Sequence, residues 1–217
     1  ILNQKYAETE VIIIDGGSTD DTIDIIKKYE KFLSYWVSEE DRGQSHALNK
    51  GLKVCSGDLI GWLNSDDIYL PKVFQELAQV VADNPQYDIY YANRINVDAD
   101  DMFMGKVTYA RSAPGFMAFF AKYRGLTFCS QAAFFRRNVF KDVGGFDESF
   151  DIVMDVDFFY RCILHQKKFH YTNSVWGAWR QHGSTKTGSS FEQDPRRLAE
   201  RELFLNKHNL YRGPGSG

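Results

Sequence analysis

The chain has 217 residues, 43% hydrophobic and 15% aromatic, with 26 Lys and Arg against 29 Asp and Glu for a formal charge of −3. That length suits one α/β domain with enough apolar mass for a real core. The slightly acidic balance excludes the basic footprint of a sequence-general nucleic-acid binder, and no apolar run reaches membrane-spanning length.

In chain order, Val11, Ile12, Ile13 and Ile14 form a continuous β-branched run. It reads as a strand buried on both faces, hence parallel-sheet material. Ser18 with Asp21 three residues on predicts a helix start of the capping-box kind, and Ile23, Ile25, Ile26 and Tyr29 follow at near-helical spacing. Residues 35–38 read as a second strand, and 44–54 as a helix ended by Ser56 and Gly57. Residues 58–63 form a third strand that ends in Asn64, Ser65, Asp66 and Asp67; Pro71 opens a helix to about residue 83. This alternation predicts βαβ units and a mostly parallel central sheet flanked by helices.

The second half predicts a hairpin, 87–97 with 103–108, around an acidic turn at 98–101, which makes a small acceptor-side lobe. An aromatic connection follows at 112–125, then a strand at 131–135, a short helix at 138–143, an acid-led helix at 155–165 and a strand at 169–175. The expected organisation is a single domain over 1–212, with halves of about 1–86 and 87–190, a terminal helix of about 191–210 and a flexible tail at 213–217. Cys55, Cys129 and Cys162 show neither disulfide nor zinc spacing, and no signal-peptide pattern is present, so the expected location is cytoplasmic.

Ligands of parallel α/β sheets sit at the carboxyl ends of strands. Asp15 and the Asp66–Asp67 pair fall there. Adjacent carboxylates repel unless a cation compensates, and Mg2+ or Mn2+ prefers such oxygens and shares them with phosphates. The plainer reading is that the pair caps the helix after Pro71. Gly16 and Gly17 match neither the dinucleotide fingerprint nor the P-loop, and a phosphatase-type loop would want Asp where Gly17 stands. Asp155 and Asp157 are two apart and do not share a helix face, so one suits a cleft while the other ties down the helix start. Trp176 and Trp179 suit either sugar stacking or the core, Lys186 either phosphate or solvent, and Arg136 with Arg137 a surface pair.

The carrying motifs are EVIIIDGGSTD at 10–20, SEEDRG at 38–43, ALNKG at 47–51, GDLIGWLNSDD at 57–67, GGFDE at 144–148, DVDFFYR at 155–161 and RQHGS at 180–184. In that order, and over nearly the whole chain, they resemble the inverting glycosyltransferases of family 2, which have the GT-A fold. The resemblance implies transfer of a sugar from a nucleotide-diphospho-sugar donor to a hydroxyl of a saccharide or lipid-linked acceptor. It implies nucleotide contacts from Asp15, Gly16, Ser18, Asp41, Arg42, Asn49 and Asp66, a divalent ion, Mn2+ or Mg2+, at Asp67 and His182, Asp155 as general base, and Asp157 in support.

The chain departs from the family pattern at Gly16, Asn64 and Met154, where acids are usual. The family also opens with a strand ahead of a first helix whose end residues 1–4 resemble, so the expectation is a chain lacking that strand, with impaired donor binding. Two alternatives stand beside transfer: a sugar-nucleotide-binding module with little turnover, and a nucleotidyltransferase, whose Gly-rich basic loop is not visible. A lipid acceptor would place the protein at the inner face of the membrane, with the aromatic residues 116–123 as contact or, on the plainer reading, as a buried segment.

Overall fold

The computed structural model describes residues 1–108, 129–182 and 194–210. The stretch at 116–123, Lys186 and the tail at 213–217 lie outside them. A 3-10 turn, Leu2–Gln4, precedes strand β1, Ile12–Asp15. Helix α1 (Thr22–Tyr29), β2 (Tyr35–Ser38), α2 (Gln44–Val54), β3 (Leu59–Ile60), β4 (Ile68–Tyr69) and α3 (Val73–Asp83) follow. Then come β5 (Ile89–Val97), β6 (Phe103–Thr108), β7 (Ala133–Arg136), α4 (Arg137–Val143), α5 (Met154–Leu164), β8 (Phe169–Arg180) and α6 (Pro195–Lys207).

Helix starts follow local hydrogen bonding more than the expected boxes. Asp20 Oδ1 accepts the Thr22 amide at 3.0 Å and so opens α1. Ser18 takes no part in that cap, because its amide and hydroxyl both donate to Asp15. At α6, Asp194 accepts the Arg196 amide and Pro195 stands in the first turn, where a missing N–H costs nothing.

The strands form two sheets. β1 and β2 pair in parallel, from Ile12 opposite Tyr35 to Asp15 opposite Ser38. The larger sheet has the order β3-β7-β5-β8-β4, with β6 also on β5. Within it only β5–β8 is parallel; β3–β7, β4–β8, β5–β6 and β5–β7 are antiparallel. The expectation of a mostly parallel sheet is therefore corrected to a mixed one. An unbroken apolar run reports cover on both faces, not strand direction. β5 shows this: Ile89 and Tyr91 enter one core cluster and Tyr90 and Ala92 the other, so both faces of the strand are buried.

One cluster is mostly aromatic. Trp62 stacks on Phe135 at 5.0 Å, and Phe158 stacks on Phe140 at 4.9 Å. The second joins Tyr69, Val73, Leu77, Phe134 and Trp176. Trp176 is thus core. A third seats Phe204 of α6 against Phe150, Val153 and Tyr160. Arg137 is exposed and Arg136 half-buried; the Arg136 Nε donates to Tyr87 O at 2.9 Å and links the end of β7 to the start of β5.

Among the described residues, β1 has β2 as its only partner and β3 has β7. Between their other edges lies a cavity of about 1480 Å3, walled by Leu48 and Leu52 of α2 and by Leu77 and Val81 of α3. Polar side chains also line it, among them Asp41, Asn64, Asp66, Gln131 and Asp155.

Candidate active site

The first polar loop leaves β1 at Asp15. Its carboxylate accepts the Gly17 amide at 3.0 Å, the Ser18 amide at 2.9 Å, the Ser18 hydroxyl at 2.5 Å and the Ser38 hydroxyl at 2.6 Å. Burial alone would push the carboxyl upward, but the hydrogen bonds from Ser18 and Ser38 outweigh it and hold the pKa at about 2. Asp15 is therefore an ionised brace that ties β1 to β2. Behind it, a Cβ on Gly16 would come within 2.7 Å of Asp41 Oδ2. A side chain at position 16 would have to displace the Asp41 carboxylate, which here takes that space and lines the cavity.

Asp41 Oδ1 also accepts the Gly43 amide at 2.9 Å, where φ is +114° and glycine is required. Arg42 and Asn49 go elsewhere. Arg42 pairs with Glu148 at 2.5 Å on the surface. Asn49 donates to Phe146 O at 2.8 Å and accepts the Phe146 amide at 2.8 Å. Neither lines the cavity. Together they clamp the GGFDE loop, and Gly145 is needed because a Cβ there would meet Asn49 Oδ1 at 2.5 Å.

The second polar loop follows β3. Asp66 and Asp67 diverge there. Asp67 is 7% exposed; its Oδ2 accepts Gln131 Nε2 at 2.7 Å and its Oδ1 the Arg180 amide at 3.1 Å. Burial pushes its carboxyl up, against the pull of these donors. Asp66 lines the cavity, and its Oδ2 pairs with His182 Nε2 at 3.2 Å. Arg180 fixes this loop through Nε to Asp66 O at 2.8 Å, and holds the β5–β6 turn through Asp101 at 2.5 Å. His182 therefore meets Asp66, not the Asp67 expected from the sequence.

The third contribution is the start of α5. Asp155 lines the cavity and its Oδ1 accepts the Val156 amide at 2.7 Å. Burial raises its pKa, offset in part by that amide and by Arg94. Asp157 points the other way and is 0% exposed. It meets Arg161 Nε at 2.7 Å, Lys207 Nζ at 2.7 Å and His208 Nε2 at 2.9 Å. Burial opposes its ionisation, but the bonds from His208 and Lys207 prevail and keep its pKa low.

Glu200 of α6 accepts the amides of Asp151, Ile152 and Val153 at 3.1, 2.8 and 3.0 Å just before α5. A carboxylate at a helix N-terminus is favoured by the dipole. α6 thereby fixes the loop that presents Asp155.

Asp41, Asp66, Asp155 and His182 thus open into one cavity, which Arg94, Gln131 and Trp179 also line. Sequence reading missed Arg94, Gln131 and Glu200. The one legible signal was a lone arginine inside the apolar strand β5.

Among the described residues no group of three or more His, Cys, Asp or Glu side chains converges as a ready metal cage. The Asp66 carboxylate and the His182 imidazole do suit a divalent ion that completes its shell with water and phosphate oxygens. Among those residues, no helix is long and apolar enough to cross a membrane.

Residues 1–144 match the family model described as Glycosyl transferase family 2. The chain belongs to that family. It is 29% identical over 164 residues to an uncharacterized glycosyltransferase of Mycobacterium tuberculosis, covering 74% of this chain and 60% of that one. It is 26% identical over 166 residues to a PGL/p-HBAD biosynthesis glycosyltransferase of Mycobacterium bovis, covering 75% and 61%. The chain thus spans about 60% of the length of these relatives. In fold it is similar to S. aureus TarS 1-349 in complex with UDP, with a TM-score of 0.65 and 17% identity over 99% of this chain and 61% of that one. It is also similar to the mannosyltransferase PcManGT from Pyrobaculum calidifontis in complex with GDP-Man and Mn2+, with a TM-score of 0.62 and 17% identity over 94% and 56%. The expected glycosyltransferase fold of the GT-A type is the one observed.

Proposed function

We propose that this family 2 domain transfers a sugar, with inversion, from a nucleotide-diphospho-sugar to a hydroxyl of a saccharide or lipid-linked acceptor. The observation that carries the proposal is the sorting of neighbouring acids. Asp66 and Asp155 open into the shared cavity, while Asp67 and Asp157 are sealed into the framework. In this arrangement Asp155 takes the acceptor proton as the hydroxyl oxygen bonds to the anomeric carbon. The bond from that carbon to the diphosphate oxygen breaks on the opposite side, which inverts the centre. A raised pKa suits a carboxylate that must hold the proton it receives.

Asp66 and His182 would hold Mn2+ or Mg2+, with Asp66 taking the place first assigned to Asp67. When bound, the ion supplies charge to the departing diphosphate. Asp41, beside the Asp15 brace, would face the nucleoside. TarS in complex with UDP and PcManGT in complex with GDP-Man and Mn2+, which share the fold, support a nucleoside diphosphate donor, and the second of them a divalent ion. A cytoplasmic setting, at the inner membrane face for a lipid acceptor, goes with this proposal.

Calorimetry of UDP and GDP, with and without Mn2+, tests the ion site on the wild type, Asp66→Asn and His182→Ala. Mn2+ should strengthen binding to the wild type at least tenfold, and either substitution should remove most of that gain. Equal Mn2+ dependence in all three proteins would rule out the Asp66–His182 assignment.

A further inference from the structure

Arg94 is the charged residue of β5, a strand buried at every position except Arg94 and Ile95, and it lines the cavity. Its guanidinium lies 4.7 Å over the ring of Trp179, which fixes the plane of the fork. One terminal nitrogen donates to Gln131 Oε1 at 3.2 Å, and Gln131 passes its own amide to Asp67 at 2.7 Å. This relay depends on Gly177, across from Arg94 on β8. A Cβ at Gly177 would lie 2.5 Å from Gln131 O, so only glycine lets that residue approach.

The rest of the fork is unspent. Arg94 Nε is buried without a hydrogen-bond partner, and among the described residues Arg94 makes no ion pair. The nearby acids are used in other ways. Asp67 is held by Gln131 and Arg180, and Asp155 Oδ1 accepts Val156. An arginine stays charged at any working pH; Asp67 and Asp155 feel that charge, while its buried Nε keeps no acceptor. Such a group, with its plane set and donors in reserve, matches a ligand that brings paired anionic oxygens.

We propose that Arg94 is a donor-binding residue that grips the diphosphate in the cavity it shares with Asp66 and His182. This rests on the sugar-transfer reading above. The cavity presents Asp41, Asp66 and Asp155 as well as Arg136, Arg197 and Arg201; Arg94 is the arginine whose charge is felt by Asp67 and Asp155, so it puts positive charge next to the acids that a diphosphate would otherwise face. Arg94 supplies it from a rigid strand, with no rearrangement when the leaving group takes up charge.

The test compares the wild type with Arg94→Gln and Arg94→Lys, each checked for an unchanged thermal transition. UDP, GDP and inorganic pyrophosphate are titrated into each, all with Mn2+. Arg94→Gln should weaken the preferred nucleotide and pyrophosphate by tenfold or more without altering the UDP-to-GDP preference. Arg94→Lys should recover part of the loss, because a point charge replaces the fork. A general disturbance of the pocket would shift the nucleotide preference as well, and that shift would count against the proposal. Wild-type affinity in Arg94→Gln would overturn Arg94 alone and leave the transfer reading standing. A wild type that binds neither nucleotide would overturn both. If Arg94→Gln does not fold, a pyrophosphate affinity in Arg94→Lys equal to that of the wild type decides against the contact.

Discussion

β5 and β1 are both strands that begin with apolar residues, and they sit in opposite surroundings. β5 is paired along both edges and covered on both faces, and Ile89, Tyr90 and Ala92 are fully buried. Among the described residues β1 is paired with β2 alone, its Ile12 and Ile14 are half-buried, and both residues line the large cavity. A bridge from its side to the larger sheet comes from Glu10, whose carboxylate accepts the Ser56 amide at 2.7 Å and the Gly57 amide at 3.2 Å. The proposed base and ion pair belong to the tightly packed region, the nucleoside loop to the open one. Chemistry and donor affinity should therefore respond separately to mutation.

The largest expected effect lies in the packed region. Phe158→Ala removes a ring that touches Phe140 and Phe146 at 4.9 and 4.8 Å. It should cost about 3–5 kcal/mol in denaturant unfolding, as buried Phe truncations do. Ile12→Ala, which faces space already open, should cost about 1 kcal/mol. Equal losses at the two sites would erase the contrast.

A smaller effect is expected at the brace. Ser38→Ala removes one hydrogen bond to Asp15, for about 0.5–1.5 kcal/mol. The sign with pH is fixed by the lowered carboxyl. Its contribution is complete above the ordinary value of 3.8 and fades as pH falls towards about 2. Carboxyl NMR of Asp15 should show that low midpoint in the wild type and a higher one in Ser38→Ala. An unmoved midpoint would mean that Ser38 does not hold the charge.

The contrast also marks what the sequence could reveal. Element positions were legible from periodicity, and β2 and α2 fall on their predicted spans. Strand direction was not, because the apolar run of β5 records burial alone. The acidic loops stood out at strand ends, but sequence could not say which of Asp66 and Asp67 turns to the cavity. That is settled by Gln131 and Arg180, which arrive from 64 and 113 residues away to claim Asp67. Asn49 carries a family motif, yet its partners on the GGFDE loop lie nearly 100 residues on. Arg94 showed only as a misplaced charge, because its meaning depends on Trp179 and Gln131.

The central claim is that Asp155 handles the acceptor proton while the donor is held by other groups. Its most direct test is Asp155→Asn, measured for transfer with an active donor–acceptor pair and for nucleoside diphosphate affinity with Mn2+. Turnover should fall by about 10²–10⁴ with affinity unchanged. Undiminished turnover, or equal losses in rate and affinity, would contradict it.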